Sequence, residues 1–473
     1  MTSKLGFGVG QVAEGICLVV FNTFTLFFYN QIIGVSASLT GMALAIALIF
    51  DAVSDPLAGS ISDNFQSKWG RRHPFMAGSC IPLALAIFGL FNPPENMSEI
   101  FYFGWLLLFA ISARLFLTLY HVPHMALGAE MADDYADRTR VYSYSQFFGT
   151  VGSAGFAFLA YTFFFPTTDE HSHGMLNEAG YLPFSGTAGI GIVVTILACV
   201  WYTRREIPHM STWKPREESL STRRLWREIK TALSIRSYSM LLCGLLCAMV
   251  IIGVEHTFMV YIYIHFWELG TESMRWLSPM QLAGLPLSVL MAPYLLRWFD
   301  KRTILIVFAA LIIINMNVLI LLRLFTDVLP VNGDPILFYL LLTVAFIAGL
   351  ISPALMINFN SMFADVADEL DLLTGNRQEG IIFSARSFSL KASGAIATMI
   401  AGIALDLIGF PKGAAAGTVP PDIVYRLGLV AGPTTIVLGL ANLSFFIAYR
   451  LDRKRMEEVK QALNARRTAE AAP

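Results

Sequence analysis

The chain has 473 residues, 55% of them hydrophobic and only 14% charged, with a mean hydropathy of +0.60. A soluble domain carries about 25% charged residues, and its water-facing surface could not hide this much apolar area, whereas a bundle solvated by lipid can. The net charge of −1, with no basic low-complexity arm, gives no expectation of a nucleic-acid partner.

Taken in chain order, apolar stretches that reach the roughly 20 residues needed to cross a bilayer fall near 8–33, 37–62, 73–93, 100–131, 141–166 and 183–203. A polar connection follows, then stretches near 237–265, 279–298, 302–325, 335–362, 381–408 and 424–450. The first is preceded by Lys4 and lacks a short apolar core followed by a small-residue cleavage site, so it reads as a retained span. The expected fold class is an all-α membrane protein of twelve helices, with two six-helix bundles around a central cavity. The bundles are expected at 1–203 and 237–450, the cytoplasmic linker at 204–236 and a cytoplasmic tail at 451–473. The five cysteines lie in apolar segments without metal-ligand spacing and read as small packing residues.

Sidedness follows from Lys and Arg. Of the 33 basic residues, 26 fall on the side of the two termini and four on the other; Arg114, Arg386 and Lys391 lie within spans. This bias predicts an inner-membrane, multi-pass protein with both termini cytoplasmic. The halves also echo one another. Asp63 closes the second span before Lys68-Trp-Gly-Arg-Arg72, and Asp300-Lys-Arg302 stands at the matching place in the second half. Matching halves suggest a carrier whose two bundles rock about a midplane site.

Ionisable groups inside spans cost about 3 kcal/mol each even on lenient scales, so they mark function. Asp51 and Asp55 sit four apart and share one face of the second span. Two such carboxylates need a cation between them, or a shared proton; oxygen ligands suit a metal ion such as Na⁺. Pro56 frees the carbonyl of residue 52 as a further oxygen, and Gly59 is expected to let a neighbouring helix approach. Lys391 lies too deep in the eleventh span to snorkel, so a cavity-facing partner for an aspartate is expected. Arg114 is either a charge lock to the Asp pair or a solute contact. His121 and His124 form a polar pair by Pro123, with solute contact as the second reading. Glu255 and His256 suit either solute or proton contact or a local ion pair.

Several motifs resemble one family. They are Lys4-Leu-Gly-Phe-Gly8, Asp51-x3-Asp55-Pro-x2-Gly59, Trp69-Gly-Arg-Arg72 and Tyr120-His-Val-Pro-His-x-Ala-Leu-Gly128 with Asp134 and Arg138. The last is Ser361-Met-x-Ala-Asp365 with Thr374, Glu379 and Lys391. Together they resemble the glycoside–pentoside–hexuronide:cation symporter family, the melibiose permease group of the major facilitator superfamily. The resemblance implies a cation site (Na⁺, Li⁺ or H⁺) at Asp51 and Asp55, a lysine beside it at Lys391, and alternating access. No cofactor beyond the coupling ion and no obligate protein partner are implied. The family's sugar-gripping acids and arginine match Gly15 (with Glu14 beside it), His121 and Gln146. The cation machinery is therefore expected without the galactoside clamp. A different sugar, glycoside or uronide would use Glu14, His121, His124, Gln146 and Glu255; a lysolipid or other amphiphile is the alternative cargo, and an uncoupled facilitator the alternative mechanism. No nucleophile–base pair or phosphate-cradling loop gives an enzyme reading.

Overall fold

The computed structural model describes residues 2–471 apart from 66, 132–134, 169, 170, 172, 210–229, 231, 232, 375–378 and 416. Asp134, Arg377 and most of the 204–236 linker thus lie outside the described residues. The described chain is helical. In order it forms α1 (Thr2–Val19, running on through π-helical turns to Ile32), α2 (Ala37–Asn64), α3 (His73–Leu90), α4 (Glu99–Glu130), α5 (Tyr135–Leu159) and α6 (Tyr181–Thr203). Then come α7 (Arg236–Tyr261), α8 (Leu277–Trp298), α9 (Lys301–Phe325), α10 (Pro335–Thr374), α11 (Glu379–Leu407), α12 (Pro421–Ala431 and Pro433–Ala448) and α13 (Arg453–Ala471).

Among the described residues eleven helices are long and apolar enough to cross a membrane. In lipid a helix satisfies its backbone groups internally, which is why these apolar runs adopt it. The more polar α8, with Pro279, Gln281 and Pro286, takes the place of the eighth expected span. The last expected span is two helices rather than one. Gly432 departs from helical geometry (φ −101°, ψ −93°) immediately before Pro433, because a residue preceding proline is pushed out of the α region. Cys243 is another correction: it is exposed on α7 rather than packed.

The chain sorts into two compact units. Unit 1 holds Met1–Arg216, Gly253–Leu282 and Gly394–Leu427. Within it α1 packs on α5 and α6, α2 on α4, and α3 on α4 and α6. Unit 2 holds Glu217–Ile252, Ala283–Ser393 and Gly428–Pro473. There α9 packs on α10 and α12, and α13 lies against α10, held by an Arg466–Asp371 ion pair at 2.6 Å.

The charge echo between the halves goes deeper than the loops. In unit 1, Arg71 and Arg72 at the start of α3 both reach Glu130 at the end of α4, at 2.6 Å, and Arg72 also meets Asp63 at 2.9 Å. In unit 2, Lys301 at the start of α9 pairs with Asp365 in the last turns of α10, at 2.5 Å. Third and fourth helices of each half are thus pinned by the same kind of ion pair. Gly70, at φ +76°, gives the Trp69-Gly-Arg-Arg72 loop the left-handed turn that brings its arginines round.

Candidate cation and solute site

The site lies on α1, α2 and α4 of unit 1. Asp51 and Asp55 fall on one face of α2, as their spacing requires; Asp51 is buried and Asp55 half-buried. Opposite them on α4 stands Thr118, itself buried. Its hydroxyl oxygen is 2.6 Å from Asp51 Oδ1 and 3.0 Å from Asp55 Oδ1. A hydroxyl has one proton to give, so it donates to one carboxylate and turns a lone pair toward the other. Three oxygens from two helices converge there. The Ser54 hydroxyl is bonded back to the Asp51 carbonyl at 3.1 Å, within α2. No group of three His, Cys, Asp or Glu side chains able to hold a metal ion occurs among the described residues. Two carboxylates and a hydroxyl instead suit a hard monovalent ion.

Gly59 does not mark a tight helix contact. A Cβ there would lie 3.5 Å from Val122, ordinary van der Waals distance, so α2 and α4 leave room for a methyl group.

Arg114, Thr118 and His121 stand at i, i+4 and i+7 on α4 and so share a face. The Arg114 guanidinium lies 4.3 Å from the centre of the Phe21 ring of α1, and the Asp51, Glu14 and Asp55 carboxylates act on it electrostatically. Two turns of α4 beyond Arg114, His121 Nδ1 meets Glu14 Oε2 at 2.9 Å. Gln11 donates to the same carboxylate and in turn accepts from Ser145 of α5 at 3.0 Å. Helices α1 and α4 therefore present a line of polar groups beside the Asp pair.

Why Glu14 rather than its neighbour carries this role follows from packing. A Cβ on Gly15 would lie 2.5 Å from the Gly149 carbonyl oxygen, and one on Gly152 2.9 Å from Val12. Here α1 and α5 touch backbone to backbone, which leaves no space for an acid at position 15.

Other predicted residues fall elsewhere. His124 is fully buried, donates from Nε2 to the Phe7 carbonyl at 2.9 Å, and is stacked by Phe7 and Tyr120 at 4.2 and 5.2 Å; this position offers no edge to a solute. Gln146 is exposed on α5, with Thr150 at 3.3 Å. Glu255 and His256 are half-buried on the part of α7 that belongs to unit 1. Lys391 is half-buried on the part of α11 that belongs to unit 2. Thr118, Gln11 and Ser145 are the additions that sequence reasoning did not supply.

A family model described as MFS/sugar transport protein matches residues 6–453. The chain belongs to this family. Among its relatives in the glycoside–pentoside–hexuronide:cation symporter branch, a putative glycoside/cation symporter (YagG) of Escherichia coli is 24% identical, with 100% of this chain and 97% of the relative covered. The isoprimeverose transporter of Lactiplantibacillus pentosus is 23% identical over 86% of this chain and 81% of that one. Among solved structures, the inward-open xylose transporter XylE of E. coli superposes with a TM-score of 0.61 at 15% identity, over 97% of this chain and 98% of that one. That likeness carries the major facilitator fold.

Proposed function

We propose that this chain is a cation:sugar symporter that binds its coupling ion at Asp51, Asp55 and Thr118 and its solute along Glu14, His121 and Arg114. The observation that carries the reading is the convergence of an oxygen from each of Asp51 and Asp55 with the Thr118 hydroxyl oxygen between α2 and α4. A bound Na⁺ or H⁺ adds positive charge there, so ion occupancy alters the field felt by Arg114 and, through it, the solute groups. Glu14, Gln11 and His121 provide acceptors and donors for sugar hydroxyls. Arg114 adds a forked donor that suits a carboxylate, which favours a uronide over a plain galactoside. The membrane orientation, with both termini cytoplasmic, rests on the 26-to-four distribution of basic residues.

The test is uptake into proteoliposomes under an imposed Na⁺ or H⁺ gradient, over a panel of glycosides, uronides and one lysolipid. Saturable, gradient-driven uptake of a sugar or uronide is expected. Uptake of the lysolipid alone would replace the sugar reading with the amphiphile one.

A further inference from the structure

At the end of unit 1 that carries the α1–α2 loop, the first turn of α2 is capped from far along the chain. The opening amides of a helix have no partner within it. Here Asp406, in the last turn of α11, supplies one: its Oδ1 accepts from the Ala37 amide at 3.1 Å and its Oδ2 from the Ser38 amide at 2.9 Å. Both carboxylate oxygens are used, and the negative charge sits on the positive end of the helix dipole. Beneath the cap the two helices meet backbone to backbone. A Cβ on Gly402 would lie 2.2 Å from the Ala37 carbonyl oxygen, and one on Gly41 2.5 Å from that of Thr398.

The same seam is closed beside the cap by Gln31, which lies in the π-helical turn that ends α1. Its amide nitrogen donates to the Pro411 carbonyl at 3.1 Å, and its amide oxygen accepts from the Ala414 amide at 3.0 Å. Irregular turns of this kind recur at functional sites. On the rim, Glu99 accepts from Lys412 at 2.9 Å and from the Ser36 amide at 2.7 Å.

These contacts share a property. They are polar and largely directed at backbone groups, so water can replace each partner when the seam parts. A fused apolar core would not part so readily. We propose that Asp406 is a positioning residue of the transport cycle: by capping α2 it holds the α1–α2 loop side shut, and its release opens that side. The proposal rests on the rocking-bundle reading only for the need of this seam to open.

The test needs neither solute nor coupling ion. Leu48 is half-buried, lies two turns beyond Gly41 on the same face of α2, and is 3.5 Å from a Cβ built on Gly394. A Leu48→Cys reporter in the full chain is labelled with a membrane-impermeant maleimide applied from the α1–α2 loop side, and labelling of the parent without the reporter is subtracted. Asp406→Asn keeps the shape but removes the charge, and is expected to speed labelling roughly two- to fivefold. Asp406→Glu, which keeps the charge, is expected to stay nearer the parent rate. Ser38→Pro removes one donor of the cap from the opposite helix, within the first turn, where the amide has no partner inside the helix, and is expected to act in the same direction as Asp406→Asn. Labelling at or below the parent rate in both Asp406→Asn and Ser38→Pro, in protein that runs as a folded species, would overturn the latch. Since no sugar enters the assay, that failure would leave the symport reading standing, and a failed sugar panel would leave the latch standing.

Discussion

At the scale of single residues, the account turns on Thr118. Its hydroxyl bridges Asp51 and Asp55 within hydrogen-bond distance of both, and any ion at the pair would have it as a third oxygen. Thr118→Val keeps the volume and removes that oxygen. A hydrogen bond to a charged group contributes about 1.5–3 kcal/mol, so the half-saturating cation concentration is expected to rise roughly 10- to 150-fold with little loss of folding. Cation titration of solute uptake, compared in parent and variant, measures it; an unchanged titration would remove Thr118 from the site. The Asp pair was legible in the sequence because charge in a lipid-facing run is costly and therefore stands out. Thr118 was not, since a hydroxyl in a helix can bond its own backbone and raises no such flag. The signal that could have found it was spacing: it completes the i, i+4, i+7 row with Arg114 and His121. His124 shows the converse error. Its type and its place in a motif drew it into the solute set, yet burial and two flanking rings make it a packing residue.

At the scale of helices, close backbone contact decides where polar groups can stand. The seam of α1 and α5 at Gly15, Gly149 and Gly152 leaves position 15 without side-chain space. Gly15→Ala is expected to destabilise the N-terminal bundle by about 1–3 kcal/mol through overpacking, read as a lowered midpoint of thermal unfolding in detergent. A variant as stable as the parent would mean that α1 and α5 can separate without cost. The sequence showed the substitution at position 15 but not its reason, because the partner glycines lie on another helix. The opposite error occurred at Gly59, where small size suggested a tight approach and the contact is ordinary. One helix end, at Thr203, falls where the apolar run stops. The sequence was less readable at Gly432–Pro433, where an apolar run conceals a break.

At the scale of the whole molecule, the pattern of twelve apolar runs and the bias of basic residues were enough to read a polytopic carrier. What they could not give is the grouping of segments in space. The parts of α7 and α11 nearest the α2 cap belong to unit 1, by contacts between residues hundreds of positions apart. Hydropathy has no term for such pairings. The repeated pinning of third to fourth helices, Arg71 and Arg72 to Glu130 and Lys301 to Asp365, was half visible: the basic clusters could be matched, but their acidic partners could not. The central claim is that the Asp pair couples ion to solute. It is tested most directly by sugar uptake into proteoliposomes with and without an imposed cation gradient, in the parent and in Asp55→Cys. Accumulation that depends on the gradient and is lost in the variant is expected. Uptake that is equally strong without a gradient and indifferent to Asp55 would contradict it, and would make the protein a facilitator whose aspartates are structural.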